Sequence, residues 1–190
     1  MQQYLQQIIA FLKTRYGIEI VLTESIEDNV EIAELVNKKI IVNTTARDSE
    51  AILFVIAHLF GHMVQFTNYE KYRLLVETVE RPKPLALSNE FKQAFYKYEV
   101  EAYKIGKGLL ESIISDSDMN LLDEHYQIYL ETDFNVFWEY LTTGDQASIS
   151  EFNTVLNKQY AAQKGRFINQ LRSIALPDAI DASPISAKVY

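Results

Sequence analysis

Phe54-Val55-Ile56-Ala57-His58-Leu59-Phe60-Gly61-His62-Met63-Val64-Gln65-Phe66 is the stretch on which the reading of this chain turns. Ile52, Leu53, Val55, Ile56, Leu59, Phe60, Met63 and Val64 leave almost no polar face, so the spacing predicts a buried helix. Asp48 or Ser49 is the expected N-cap, and the helix runs to about Phe66. Two of the chain's three histidines, His58 and His62, lie inside it four residues apart. A helix of 3.6 residues per turn puts them on one face, as in a helix-borne metal site. The alternative is a pair of core histidines bonded to carbonyls or carboxylates, because a buried polar group left without a partner costs about 1–3 kcal/mol.

Elements expected on either side give a fold class. Leu5, Ile8, Ile9 and Leu12 mark an amphipathic helix from Gln2 to Arg15, with Gly17 as its C-terminal glycine. Ile18–Leu22, Val30–Val36 and Lys39–Asn43 read as strands, the last two forming a hairpin around Asn37-Lys38. Asn suits the first position of such a turn; Lys suits the second less well than Gly does. Asn68 to Leu87 holds a charged helical stretch broken at Arg81-Pro82-Lys83-Pro84. Ser88 caps a long helix to about Ile114. Further helices are expected over Met119–Glu131, Asp133–Thr143 (stopped by Gly144) and Ser150–Ala175, followed by an aperiodic tail. The class is α+β, with a small N-terminal antiparallel sheet and a predominantly helical body. Residues 1–115 form the first part, 116–176 are helices packed on the same domain, and 177–190 are the tail.

The long helix carries a candidate third ligand. Its apolar stripe is Phe91, Ala94, Phe95, Tyr98, Ala102, Ile105 and Leu109, and Glu101 falls between Tyr98 and Ile105, with Glu99 pointing away. An acidic residue on a core face calls for a cation or a metal. The other possibility is that Glu101 sits at the stripe's edge, in water or paired with Lys97 or Lys104.

Lys39-Ile40-Ile41-Val42-Asn43, the helix from His58 to Gln65, and Glu99-Val100-Glu101-Ala102 together resemble the ImmA/IrrE metallopeptidases, gluzincin-like domains. The resemblance covers roughly residues 1 to 115. It implies a His-Glu-x-x-His helix beside a small sheet, with His58, His62 and Glu101 as ligands of zinc. Gly61 matches the small residue this family often has before the second histidine. The chain departs from the family in three ways. Leu59 stands where the family has its catalytic Glu, the span between His62 and Glu101 is long, and the helices after Ile114 have no counterpart.

Leu59 decides the expected function. A metal-bound water needs a general base, a role worth typically about 10²–10⁴ in rate. Glu50 lies roughly 12 Å back along the helix and offers no substitute. The expectation is therefore no catalytic residue: a metal-binding, degenerate zincin-like domain with a binding or regulatory role, gripping a protein or peptide segment in the old substrate groove. The alternatives are an active zinc metallopeptidase with a base from elsewhere in the chain, and a metal-free structural domain. His125, in Asp123-Glu124-His125-Tyr126, is a further candidate to line the pocket.

The whole chain limits the other classes. A net charge of −8 over 190 residues argues against nucleic acid. The absence of cysteine removes disulfides and thiolate ligands. The apolar run from Ala51 to Leu59 is too short to span a bilayer. The N-terminus lacks the pattern of a signal peptide, so the expected location is cytoplasmic.

Overall fold

The computed structural model describes residues 1–24, 32–45, 47–144, 172–181 and 188–189. Helix α1, Gln2–Tyr16, buries Leu5, Ile8, Leu12 and Tyr16 on one stripe. Gly17 ends it at φ 69°, a backbone angle that costs glycine nothing. Its N–H donates to Lys13 O, and the next N–H, of Ile18, donates to Leu12 O. The chain thereby turns straight into β1, Glu19–Thr23.

Strands β2, Ile32–Glu34, and β3, Lys39–Asn43, form the expected antiparallel hairpin, pairing Ile32 with Ile41 and Glu34 with Lys39. Lys38 at the turn takes φ 47°, the left-handed angle that glycine would adopt more cheaply. The sheet as a whole is mixed rather than antiparallel. β1 runs parallel to β3, Glu19 beside Lys39 and Thr23 beside Asn43, and with β4, Lys188–Val189, the order is β1-β3-β2-β4. Alternation of apolar residues is the same for either direction of pairing, so the pattern could not distinguish them.

Helix α2, Ser49–Phe66, is capped by Asp48, whose Oδ1 accepts from Ala51 N at 2.8 Å. It passes beneath the sheet and is buried along nearly its full length. By length and composition α2 could cross a bilayer, yet 83% of it is enclosed by the rest of the protein. After α3, Tyr69–Val79, comes α4, Asn89–Glu111, with Ser88 Oγ accepting from Phe91 N.

The α2–α4 contact is backbone against backbone. A Cβ on Gly61 would lie 2.0 Å from Ala102 O, and one on Gly106 would lie 2.5 Å from Ala57 O. The pairing of 57 with 106 and 61 with 102 makes the helices antiparallel.

Beyond α4 the structure corrects two expectations. Instead of two helices there is one, α5, Asp116–Thr143, capped by Ser115 and ended by Gly144 at φ 71°. Thr132, where a break was expected, folds its hydroxyl back onto Ile128 O at 2.8 Å and stays buried inside the helix. A buried ion pair, Lys107 Nζ to Asp123 Oδ1 at 2.6 Å, ties α5 to α4. The segment expected as a free tail is attached. Tyr16 OH donates to Pro177 O at 2.8 Å, Ile180 is buried, and Lys188–Val189 add strand β4 antiparallel to β2. Ile174 N donates to Lys104 O, and residues 172–175 are not helical. The remainder of the helix expected over Ser150–Ala175 lies outside the described residues, as do the first residues of the strand expected from Val30.

Gly61→Ala tests the α2–α4 contact. The added methyl meets a main-chain carbonyl that no side-chain rotation can clear, so the cost should reach or exceed the 1–3 kcal/mol typical of overpacking. An unchanged urea midpoint in the variant would show that the helices are not in backbone contact.

Candidate metal centre

His58 and His62 leave α2 one turn apart and meet a carboxylate from α4. His58 Nε2 and His62 Nε2 are 2.6 Å apart, and each lies 3.3 Å from the same oxygen, Oε2 of Glu99. All three side chains are buried, and among the described residues they are the group of ligating side chains that converges closely enough to hold an ion. Four ligands arranged tetrahedrally at 2.0–2.1 Å from a metal stand about 3.3 Å from one another. Both His–Glu separations have that value; the two imidazoles need to part by about 0.7 Å to reach it.

The carboxylate is Glu99, which the sequence reading turned away from the core. Glu101 sits about 200° round the helix from it, near the surface, where Lys71 Nζ approaches Oε1 at 3.0 Å. Helix α4 is covered by α2 on one side and by α5 on another, so its buried arc is wide. That arc takes in Glu99, Tyr103, Gly106 and Leu110 as well as Phe95, Tyr98, Ala102, Ile105 and Leu109 of the apolar stripe, whereas Phe91 is half-buried and Ala94 is exposed. The row 99, 102, 103, 106, 110 has helical spacing and is the available signal; a stripe counted from apolar residues passes over it because it contains a Gly and the Glu itself.

The hydrogen bonds around His62 decide its protonation. Gln65 lies on the next turn of α2, and its Nε2 donates to Tyr98 O at 2.8 Å. That leaves Gln65 Oε1, an acceptor, 2.9 Å from His62 Nδ1. Nδ1 must then carry a proton, which leaves Nε2, facing Glu99, as the nitrogen able to ligate. A metal-binding histidine needs this arrangement: one nitrogen held by a hydrogen bond, the other free to coordinate.

His58 is held differently. Burial, and secondarily the neighbouring His62, push its pKa well below the ordinary value, so it is neutral, as a ligand must be. Its Nδ1 is buried with no hydrogen-bond partner among the described residues. The nearest carboxylate on that side is Asp133 of α5, with Oδ2 at 3.8 Å. Tyr103 OH donates to the same oxygen at 2.9 Å. Burial, reinforced by the charge of Glu99, raises the Asp133 carboxyl to about 7. The rings of Tyr103 and Tyr98 wall the site, edge-on to His58 at 4.1 Å and tilted over His62 at 5.0 Å. Burial raises both phenols far above their usual range, so both stay protonated.

Leu59 is 3% exposed and belongs to the hydrophobic core. His125 does not join the centre. Its Nδ1 lies 3.1 Å from Glu50 Oε1, and both residues line a separate cleft of about 530 Å³ with Tyr4, Asp118 and Glu124. No protein-family model, no curated protein and no solved structure matches this chain.

The raised Asp133 carboxyl predicts a pH dependence in metal-free protein. Unfolded, the group titrates near 3.8; folded, near about 7. The folded chain therefore holds this proton more tightly than the unfolded chain. The resulting stability is full below about pH 4 and is lost as pH rises through 7. His58, held well below its ordinary value, contributes in the opposite direction, so the measurement is a difference: in chelator-treated protein the urea midpoint of wild type should fall relative to that of Asp133→Asn from pH 5 to 8. A slope unaffected by the substitution would place the titrating group elsewhere.

Proposed function

We propose that this chain is a zincin-like domain, related in design to the ImmA/IrrE metallopeptidases, that holds a zinc ion and acts by binding rather than by hydrolysis. The observation that carries this reading is the Gln65–His62 hydrogen bond, which directs the Nε2 lone pair toward Glu99 and His58. Two imidazoles and one carboxylate, without thiolates, form a donor set suited to zinc with one position left open. Zinc in such a set supplies Lewis acidity to a bound water or carbonyl. His58, His62 and Glu99 would hold it. Tyr98 and Tyr103 would keep bulk water from the ligands, and Gln65 would keep His62 in the ligating tautomer.

Among the described residues, the position after His58 offers no base. Leu59 follows His58 and is packed in the core, so the residue position that does this work in working enzymes is filled by hydrocarbon. The consequence is a regulatory or scaffolding role, with a protein or peptide segment as the partner class. The acidic net charge of −8 weighs against nucleic acid as that partner. One observation favours hydrolysis instead: Asp133, whose carboxyl is raised to about 7, is a poised acid–base group beside the site. Against this, it approaches Nδ1 of His58, the nitrogen turned away from Glu99 and His62. A wholly structural role for the histidines accounts less well for three ligating atoms aimed at one point.

Metal analysis and a cleavage assay on a flexible protein substrate test the proposal together. Wild type should retain one equivalent of zinc and show negligible hydrolysis, and His62→Ala should lose the metal. Leu59→Glu should keep the metal and gain chelator-sensitive cleavage, at a stability cost of a few kcal/mol for placing a carboxylate where Leu59 packs. Chelator-sensitive cleavage by wild type, abolished in His62→Ala, would identify an active peptidase and overturn the binding-only reading.

A further inference from the structure

The two histidines are unequally prepared for a metal. His62 is oriented from within α2, by Gln65 three residues on. Nothing on α2 does the same for His58, whose Nδ1 lacks a hydrogen bond while facing α5. We infer that Asp133, held by Tyr103, is the positioning carboxylate for His58, so that α5 supplies the half of the metal site that α2 and α4 lack. This rests on the metal-centre reading above and adds to it a residue outside the part of the chain that resembles a metallopeptidase.

The geometry provides for it. Tyr103 OH occupies one lone pair of Asp133 Oδ2, at 2.9 Å, which fixes where the carboxylate points. A carboxylate oxygen has a second lone pair, and it can accept Nδ1–H of His58. The separation of 3.8 Å is about 0.8 Å longer than an ordinary N–H···O bond. The imidazoles, 2.6 Å apart, must separate by about 0.7 Å to serve as tetrahedral ligands. Displacements of this size suffice for both, so metal entry at Nε2 and closure of the hydrogen bond at Nδ1 are one adjustment of the His58 ring. With Nδ1–H held, Nε2 keeps its lone pair for the ion, which is the arrangement Gln65 already imposes on His62. Metal occupancy and the docking of α5 on α4 then reinforce each other.

The experiment titrates metal-stripped full-length protein with cobalt(II), read by its visible absorption, and with zinc(II) by competition. Wild type, Asp133→Asn, Asp133→Glu, Tyr103→Phe and His62→Ala are compared, with folding checked by circular dichroism. Asp133→Asn should still bind one equivalent with a tetrahedral cobalt spectrum, but about 10–100-fold more weakly, the usual effect of removing a carboxylate behind a ligating histidine. Asp133→Glu should recover part of the loss, and Tyr103→Phe should weaken binding in the same direction. Zinc should slow amide exchange around residue 133 in wild type and not in Asp133→Asn.

Wild-type affinity in Asp133→Asn, with binding lost in His62→Ala, sinks this inference and leaves the metal centre standing. A changed cobalt coordination spectrum in Asp133→Asn makes Asp133 a ligand and also overturns it. No stoichiometric cobalt in wild type, or undiminished binding in His62→Ala, removes the metal centre and this inference together. If Asp133→Asn does not fold, Tyr103→Phe decides: a loss of affinity at full helicity supports the role, and unchanged affinity refutes it.

Discussion

Two glycines that let α2 and α4 touch through their backbones set the geometry on which the rest of this protein depends. With Gly61 against Ala102 and Gly106 against Ala57, the helix axes come closer than side chains would allow. At this short separation an imidazole and a carboxylate from facing turns meet at one point. His62 follows Gly61 directly, and Glu99 lies one turn before Ala102. The close contact and the ligand cluster are therefore parts of one crossing. Dispersion across it is large because no side chain intervenes, and any added atom meets a carbonyl that cannot rotate away.

A buried cluster of two imidazoles and a carboxylate opposes folding unless its polar atoms are satisfied. The structure satisfies one side of it. The chain of Tyr98 carbonyl, Gln65 amide and His62 Nδ1 uses one donor and one acceptor at each step and ends with a lone pair directed inward. The other side is less complete, with the His58 Nδ1 atom buried and Asp133 just out of hydrogen-bond range. Under the proposed metal reading, the interactions on this side are the ones that would form on ion entry. Leu59 adds the functional constraint. Under the proposed reading, hydrocarbon at that position would leave the ligands in place and supply no proton acceptor, which would separate metal binding from hydrolysis.

Helix α5 changes the meaning of the C-terminal half. It is a single rod of 28 residues laid along α4, linked to it by the buried Lys107–Asp123 pair and by Tyr103 to Asp133. Part of the segment after it returns to the N-terminal half, over Tyr16 and onto the edge of β2. Residues 116–144 therefore contribute to the same core as residues 1–115, and one of them reaches the candidate site.

Local patterns were enough for most of the elements through α4 and for the two histidines of the site. Asp48, Ser88 and Ser115 cap because their side-chain oxygens satisfy the first free N–H groups, an interaction complete within four residues. Gly17 and Gly144 stop helices for an equally local reason, and the four-residue spacing of His58 and His62 determines that they share a face. Long-range contacts decided the rest. Alternating strands do not encode whether β1 pairs parallel or antiparallel. The choice between Glu99 and Glu101 depended on how many sides of α4 are covered, which no window of that helix contains. Asp133 lies 75 residues from His58 in the chain, and its role exists only because α5 packs where it does. The sequence by itself determined which residues could coordinate a metal; tertiary packing decided which of them meet, because convergence is a property of crossing helices and not of any one of them.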